Sequence, residues 1–116
     1  MTLFAPSGGK RLRFSAIVSN ATPVEMITVS DRALIYTVES VSVRNKGSDV
    51  AFDFSVDNGT TNVSFAGQES IATEGYWKQD SHHVAVEFGE TLKFTAGGST
   101  TMHVTVVALE TDTSGQ

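Results

Sequence analysis

Val50-Ala51-Phe52-Asp53-Phe54-Ser55-Val56 alternates without a break, placing Val50, Phe52, Phe54 and Val56 on one face and Ala51, Asp53 and Ser55 on the other. A period of two, with aromatic and β-branched residues on the buried side, is what a strand with one wet face requires. Loop-forming residues bound it, Asn45-Lys46-Gly47-Ser48-Asp49 before and Asp57-Asn58-Gly59-Thr60 after. Asn58-Gly59 predicts a type I′ hairpin turn into a partner strand over Thr61–Ala66.

The same pattern recurs on either side. Leu12, Phe14 and Ala16 alternate with Arg11, Arg13 and Ser15 in a run from Arg11 to Ser19, and the turn Asn20-Ala21-Thr22-Pro23 leads into a shorter run, Val24–Val29. The long run Leu34–Arg44 changes phase near Glu39: Leu34, Tyr36 and Val38 share one parity, Val41 and Val43 the other. One extra residue does this, so a β-bulge, or a corner where the strand changes sheets, is expected there. Further along, Ser70–Thr73 reads as a brief edge piece, and residues 74–81 show no convincing pattern. Val84, Val86 and Phe88 then alternate with His83, Ala85 and Glu87, Gly89-Glu90 turns into Leu92-Lys93-Phe94, and Met102–Leu109 closes the series. No segment carries helical apolar spacing over more than about two turns. The fold class is therefore all-β: an antiparallel β-sandwich of eight or nine strands, of jelly-roll type. The expected core is Phe14, Tyr36, Val38, Phe52, Phe54, Phe65, Val86, Phe88, Leu92, Phe94, Val104 and Val106.

At 116 residues the chain holds one core. We expect a flexible arm over 1–9, a sandwich domain over 10–110 and a polar tail over 111–116. No apolar run is long enough to span a membrane, and residues 1–10 lack the positive start and apolar stretch of a secretory signal. There is no cysteine, which favours folding in a reducing cytoplasm, and the triplets at Asn20, Asn58 and Asn62 read as chance rather than glycosylation sites. The net charge of -5 argues against a nucleic-acid partner. The charge is also uneven. Residues 1–46 hold six basic and three acidic residues, whereas residues 47–116 hold two basic and ten acidic ones. Such a molecule is suited to packing against copies of itself or an oppositely charged neighbour.

No motif for chemistry stands out. His82 and His83 are adjacent and so point to opposite strand faces, and with His103 they make a poor metal site lacking a third ligand or an orienting carboxylate. Asp53, Asp57 and Asn58 lack the spacing of a calcium loop, and there is no nucleophile elbow and no phosphate-binding glycine loop. We expect no enzymatic activity and no cofactor. Tyr76-Trp77 is the one aromatic pair outside a clear strand. It suits a subunit contact or a plug at one end of the sandwich, and less well a sugar-stacking platform of a carbohydrate-binding module.

From Leu34 onward the chain resembles a broad group of small bacteriophage virion proteins with β-sandwich folds. The residues that carry the likeness are Leu34–Val38, Val41–Asn45 with its following loop, the Val50–Val56 strand, Phe88–Ala96 and Met102–Glu110. Together they span about two-thirds of the chain, while residues 1–33 and 74–81 have no counterpart. The resemblance implies a non-enzymatic virion protein of a tailed phage, made in the host cytoplasm and neither secreted nor membrane-bound. A capsid decoration (cement) protein bridging capsid subunits is favoured over a tail or head–tail connection component. It further implies a homotrimer as the assembly and the major capsid protein or another virion protein as partner. Lys10, Arg11 and Arg13 are the candidate contact to an acidic neighbouring surface, with Tyr76 and Trp77 as a second contact.

Overall fold

The computed structural model describes residues 9–114, apart from the side chains of residues 81–83. Eight strands follow one another: β1 (Lys10–Val18), β2 (Val24–Thr28), β3 (Leu34–Asn45), β4 (Val50–Asp57), β5 (Asn62–Ile71), β6 (Tyr76–Val86), β7 (Thr91–Ala96) and β8 (Met102–Asp112). They form two four-stranded antiparallel sheets, in the orders β1-β8-β3-β6 and β2-β7-β4-β5. The hydrogen-bonded pairs 1:8, 2:7, 3:6 and 4:5 are nested, as in one long hairpin, and rolling that hairpin up adds the contacts 8:3 and 7:4. This is the winding of a jelly roll. Residues 1–8 of the arm expected over 1–9 and the last two residues lie outside the described chain, and β8 continues through Thr111 and Asp112, into the stretch expected to be tail.

Four features depart from the sequence-based expectation, each for a physical reason. The expected strand over 61–66 and the edge piece over 70–73 are one strand, β5, which absorbs two irregularities against β4. Residues 74–81, patternless in sequence, mostly belong to β6, so Tyr76 and Trp77 open a strand. Asn58-Gly59 does not make a type I′ turn, which needs positive φ at both central residues. Only Gly59 has it, at 92°. A longer loop forms instead because Asp57 Oδ1 accepts from Gly59 N–H at 2.8 Å and Asn58 Oδ1 accepts from the amides of Thr60 and Thr61 at 2.9 and 2.7 Å. Phe88, placed in the core by alternation, lies beyond the end of β6 and is 44% exposed, with the Arg32 guanidinium 4.3 Å from its ring centroid.

The bulge is where the phase slip put it. Against β8 the register steps from Val38–Ala108 to Ser40–Val107, leaving Glu39 as the extra residue, and β3 stays in one sheet throughout. The slip lets Val38 on one side and Val41 and Val43 on the other all face the core, each fully buried. Val104, Val106 and Ala108 of β8 line the same floor. Opposite them Phe54, Phe94 and Leu92 form the ceiling. Phe54 and Phe94 meet edge to face at 5.0 Å between centroids, an arrangement worth about 0.5–1.5 kcal/mol beyond the area buried.

At one end of the sandwich the core is closed by a polar residue. Asn45, the last residue of β3, is 0% exposed. Its side-chain amide donates to the carbonyls of Ser48 and Ile71 at 2.9 and 2.8 Å, while its Oδ1 accepts from Gly47 N–H at 3.0 Å and from the Thr100 hydroxyl at 2.8 Å. Its backbone meets Gly75 and Glu74. One side chain thus ties together the loops that follow β3, β5 and β7. Replacing Asn45 by Ala strips a dry site of these partners and should cost about 2–4 kcal/mol. Urea unfolding should show the midpoint falling at constant slope. An unchanged midpoint would mean that the three loops hold themselves.

Candidate functional site

The outer face of the β1-β8-β3-β6 sheet is the candidate interaction surface, because three of the residues singled out for partner contact, Arg11, Arg13 and Tyr76, lie on it, whereas Lys10 shares the inward parity of Leu12 and Trp77 faces the core. On β1, residues of one parity point inward (Leu12, Phe14, Ala16 and Val18) and the other parity carries Arg11, Arg13, Ser15 and Ile17 outward. The central strands β8 and β3 present Thr105, Val107, Ser40 and Ser42, which are half-buried and uncharged. His103 and Arg44 lie on the same face nearer the Asn45 end, so the uncharged centre is confined to the rows through Ser42 and Ser40.

The basic cluster sits within a regular edge strand rather than a loose arm. Arg11 reaches over β8 to the bulge, with Nε 2.6 Å from Glu39 Oε1 and a second contact at 3.2 Å. This pair raises the Arg11 pKa, through the hydrogen bond first and the charge of Glu39 second. Lys10 lies 3.6 Å from Glu110. Arg13 has no ion pair among the described residues, so of the three it is the cation available to a partner.

At the far margin, Tyr76 and Trp77 separate, as neighbours on a strand must. Trp77 turns inward and packs against Phe52 at 5.0 Å and Phe54 at 6.2 Å, bridging the two sheets. Tyr76 turns outward, is 57% exposed and lies 5.2 Å from the Arg44 guanidinium. The two rings therefore do not form a joint sugar platform. An open groove of about 510 Å³ between β5 and β6, lined by Asp53, Phe65, Gln68, Glu69 and Gln79 among others, includes neither ring. His82 and His83 fall outside the described side chains, and among the described residues no group of three metal-binding side chains assembles.

The opposite sheet is acidic on its outside. Asp53 accepts from the Ser64 hydroxyl at 2.8 Å, and Asp57 pairs with Lys93 at 2.7 Å. That hydrogen bond holds the Asp57 carboxyl below the usual carboxylate range and pushes Lys93 up. The uneven charge of the sequence thus becomes a difference between strands: β1 carries three cations and no acid, whereas β4 and β5 carry Asp53, Asp57 and Glu69 and no cation.

Tyr36 titrates well above the ordinary range of a phenol. Its hydroxyl donates to the Glu110 carboxylate, and this hydrogen bond, with burial second, pushes its pKa to about 12. Sequence reading placed Tyr36 in the core but gave no sign of this pair, which depends on β3 and β8 being neighbours.

No family model matches the chain, and no curated protein matches it in sequence. Solved structures do match. A pentameric capsid protein isolated from metagenomic phage sequences aligns with 98% of this chain and 69% of its own, at a TM-score of 0.51 and 17% identity. The Drosophila NLP core, described for its pentamer formation and histone binding, aligns with 84% of this chain and 96% of its own, at 0.50 and 7%. Both likenesses are of fold.

Two expectations follow. Trp77→Ala should lower stability by about 3–5 kcal/mol, whereas Tyr76→Ala should change it by under about 0.5 kcal/mol, as read by chemical unfolding. Equal small effects would return Trp77 to the surface. The second concerns pH. Because the folded pKa of Tyr36 lies above its ordinary value near 10, its contribution is complete below that pH and is lost as pH rises through about 12. In a Tyr76→Phe background, leaving Tyr36 as the chain's one tyrosine, Glu110→Gln should bring phenolate absorbance in at lower pH. An unmoved titration would refute the Glu110 assignment.

Proposed function

We propose that this chain is a non-enzymatic structural subunit of a bacteriophage virion that assembles with copies of itself. The observation that carries the reading is the fold likeness to a phage capsid protein across 98% of the chain. It agrees with the resemblance of residues 34 onward to small virion proteins, and with a surface whose distinguishing features are complementary margins. An interface of this kind adds buried area between subunits without performing chemistry.

Within the virion, the role we favour is capsid decoration: a subunit that clamps neighbouring capsid subunits, with the major capsid protein as partner. A tail or head–tail connection component is the nearest rival. The β1 cations support attachment to an acidic neighbouring surface, with Arg13 as the leading contact because Lys10 and Arg11 are already paired. A trimer fits local threefold positions of a shell, while the phage protein of like fold is pentameric.

Copy number in purified particles tests the reading. Hundreds of copies per virion are expected of a decoration protein, and a few to a few dozen would move the chain to the connector or tail tip. Absence from the particle would remove the virion role altogether. Selective glycan binding by folded protein, lost in a groove variant such as Gln79→Ala, would favour the carbohydrate-binding alternative instead.

A further inference from the structure

The two free edges of the β1-β8-β3-β6 sheet match each other. Cross-strand partners define rows across its outer face. One row runs Ile17–His103–Arg44–Tyr76, the next Ser15–Thr105–Ser42–Lys78, and the third Arg13–Val107–Ser40–Asp80. The first row therefore begins and ends in exposed hydrophobic residues, Ile17 at 70% and Tyr76 at 57%. The third begins and ends in opposite charges, Arg13 and Asp80, neither of which has an ion pair among the described residues. Exposed apolar side chains and unpaired charges recur four residues apart on both edges, in the same order along the rows.

Strand direction agrees as well. With four antiparallel strands, β6 runs opposite to β1. A second copy placed beside the first in the same orientation thus presents its β1 antiparallel to β6. We propose that copies of this chain join head to tail, β6 of one subunit pairing with β1 of the next, so that the sheet continues from subunit to subunit. In this joint Tyr76 packs on Ile17, Lys78 faces Ser15 and Asp80 pairs with Arg13 of the neighbour. Both edges, each hydrogen-bonded on one side only, acquire partners, which removes the exposure that unpaired edge strands otherwise present. The contact uses two different surfaces, so it closes into a ring or extends as a filament, and it makes no twofold dimer. The joint rests on the self-association proposed above and is independent of the virion assignment.

The absence of cysteine supplies a direct test. Within one subunit Ile17 and Tyr76 are three strand spacings apart, about 14 Å, beyond the reach of a disulfide. The full-length double variant Ile17→Cys/Tyr76→Cys, mildly oxidised in solution, should give a ladder of covalent oligomers on a non-reducing gel, and neither single variant should. Dimers from either single variant would show a twofold edge contact and overturn the joint. Sedimentation of the unmodified chain separates the remaining outcomes. Oligomers without a ladder would refute this joint but leave self-association standing, and a monomer at all concentrations without a ladder would refute both. Arg13→Asp and Asp80→Arg should each weaken association at least tenfold, and the chain carrying both should recover it. Failure of that charge swap to restore association, with the fold intact by circular dichroism, would also overturn the pairing.

Discussion

One extra residue in β3 decides how the core is assembled. The strand is twelve residues long and lies in the middle of its sheet, hydrogen-bonded to β8 on one side and β6 on the other. Strict alternation would turn either Tyr36 and Val38 or Val41, Val43 and Asn45 toward water. The bulge at Glu39 removes that conflict. It also delivers Asn45 to a fully buried position, where its amide gathers three loops, so the closing of the sandwich end depends on a phase set six residues earlier. The displaced residue is itself used, since Glu39 holds Arg11 of the edge strand across β8.

The two sheets are held by different means along their length. At the Asn45 end, Trp77 from one sheet enters among Phe52 and Phe54 of the other, so the aromatic seam crosses the interface between layers. The Phe14–Tyr36 contact, at 6.0 Å edge to face, lies within a single sheet, and there the polar link of Tyr36 to Glu110 joins β3 to β8. A surface able to accept partners remains on the outside because inward-facing residues of the same strands already satisfy the core. Arg13 and Ile17 are free to face outward since Leu12, Phe14 and Ala16 face in.

The sequence was most legible where one face is apolar and the other wet. Val50–Val56, β1 and β8 follow simple alternation, and even the bulge could be located from the change of parity around Glu39. Legibility failed where alternation was carried by residues of ambiguous preference. In β6 the inward positions include Gln79 beside Trp77, and in β5 Gly67, Gln68 and Glu69 fall between the two expected pieces although the chain stays paired. Gly67 is there for a close approach: a Cβ would lie 2.5 Å from the Phe52 carbonyl oxygen. Phe88 misled in the opposite sense, because continuing a period of two past the strand end assigns a turn residue to the core. Of the candidate surface, composition identified the β1 cations and the exposed Tyr76, but their alignment in shared rows comes from which strands are neighbours, which single-sequence periodicity does not encode.

The nested strand order also governs when the native structure can exist. β8 sits between β1 and β3, so the first of these eight strands to be made stays without its sheet partner until the eighth has been made. β1 and β8 are separated by most of the chain, and such non-local pairing is slow because loop closure precedes any stabilising contact. Among the described strands, the β4–β5 hairpin, closed by a four-residue loop, is the one local pairing able to form early. During synthesis the nascent chain therefore passes through a stage in which the apolar faces of seven strands are present without the strand that completes the first sheet. Until that strand arrives those faces have no finished core to enter, the condition under which partly folded chains aggregate.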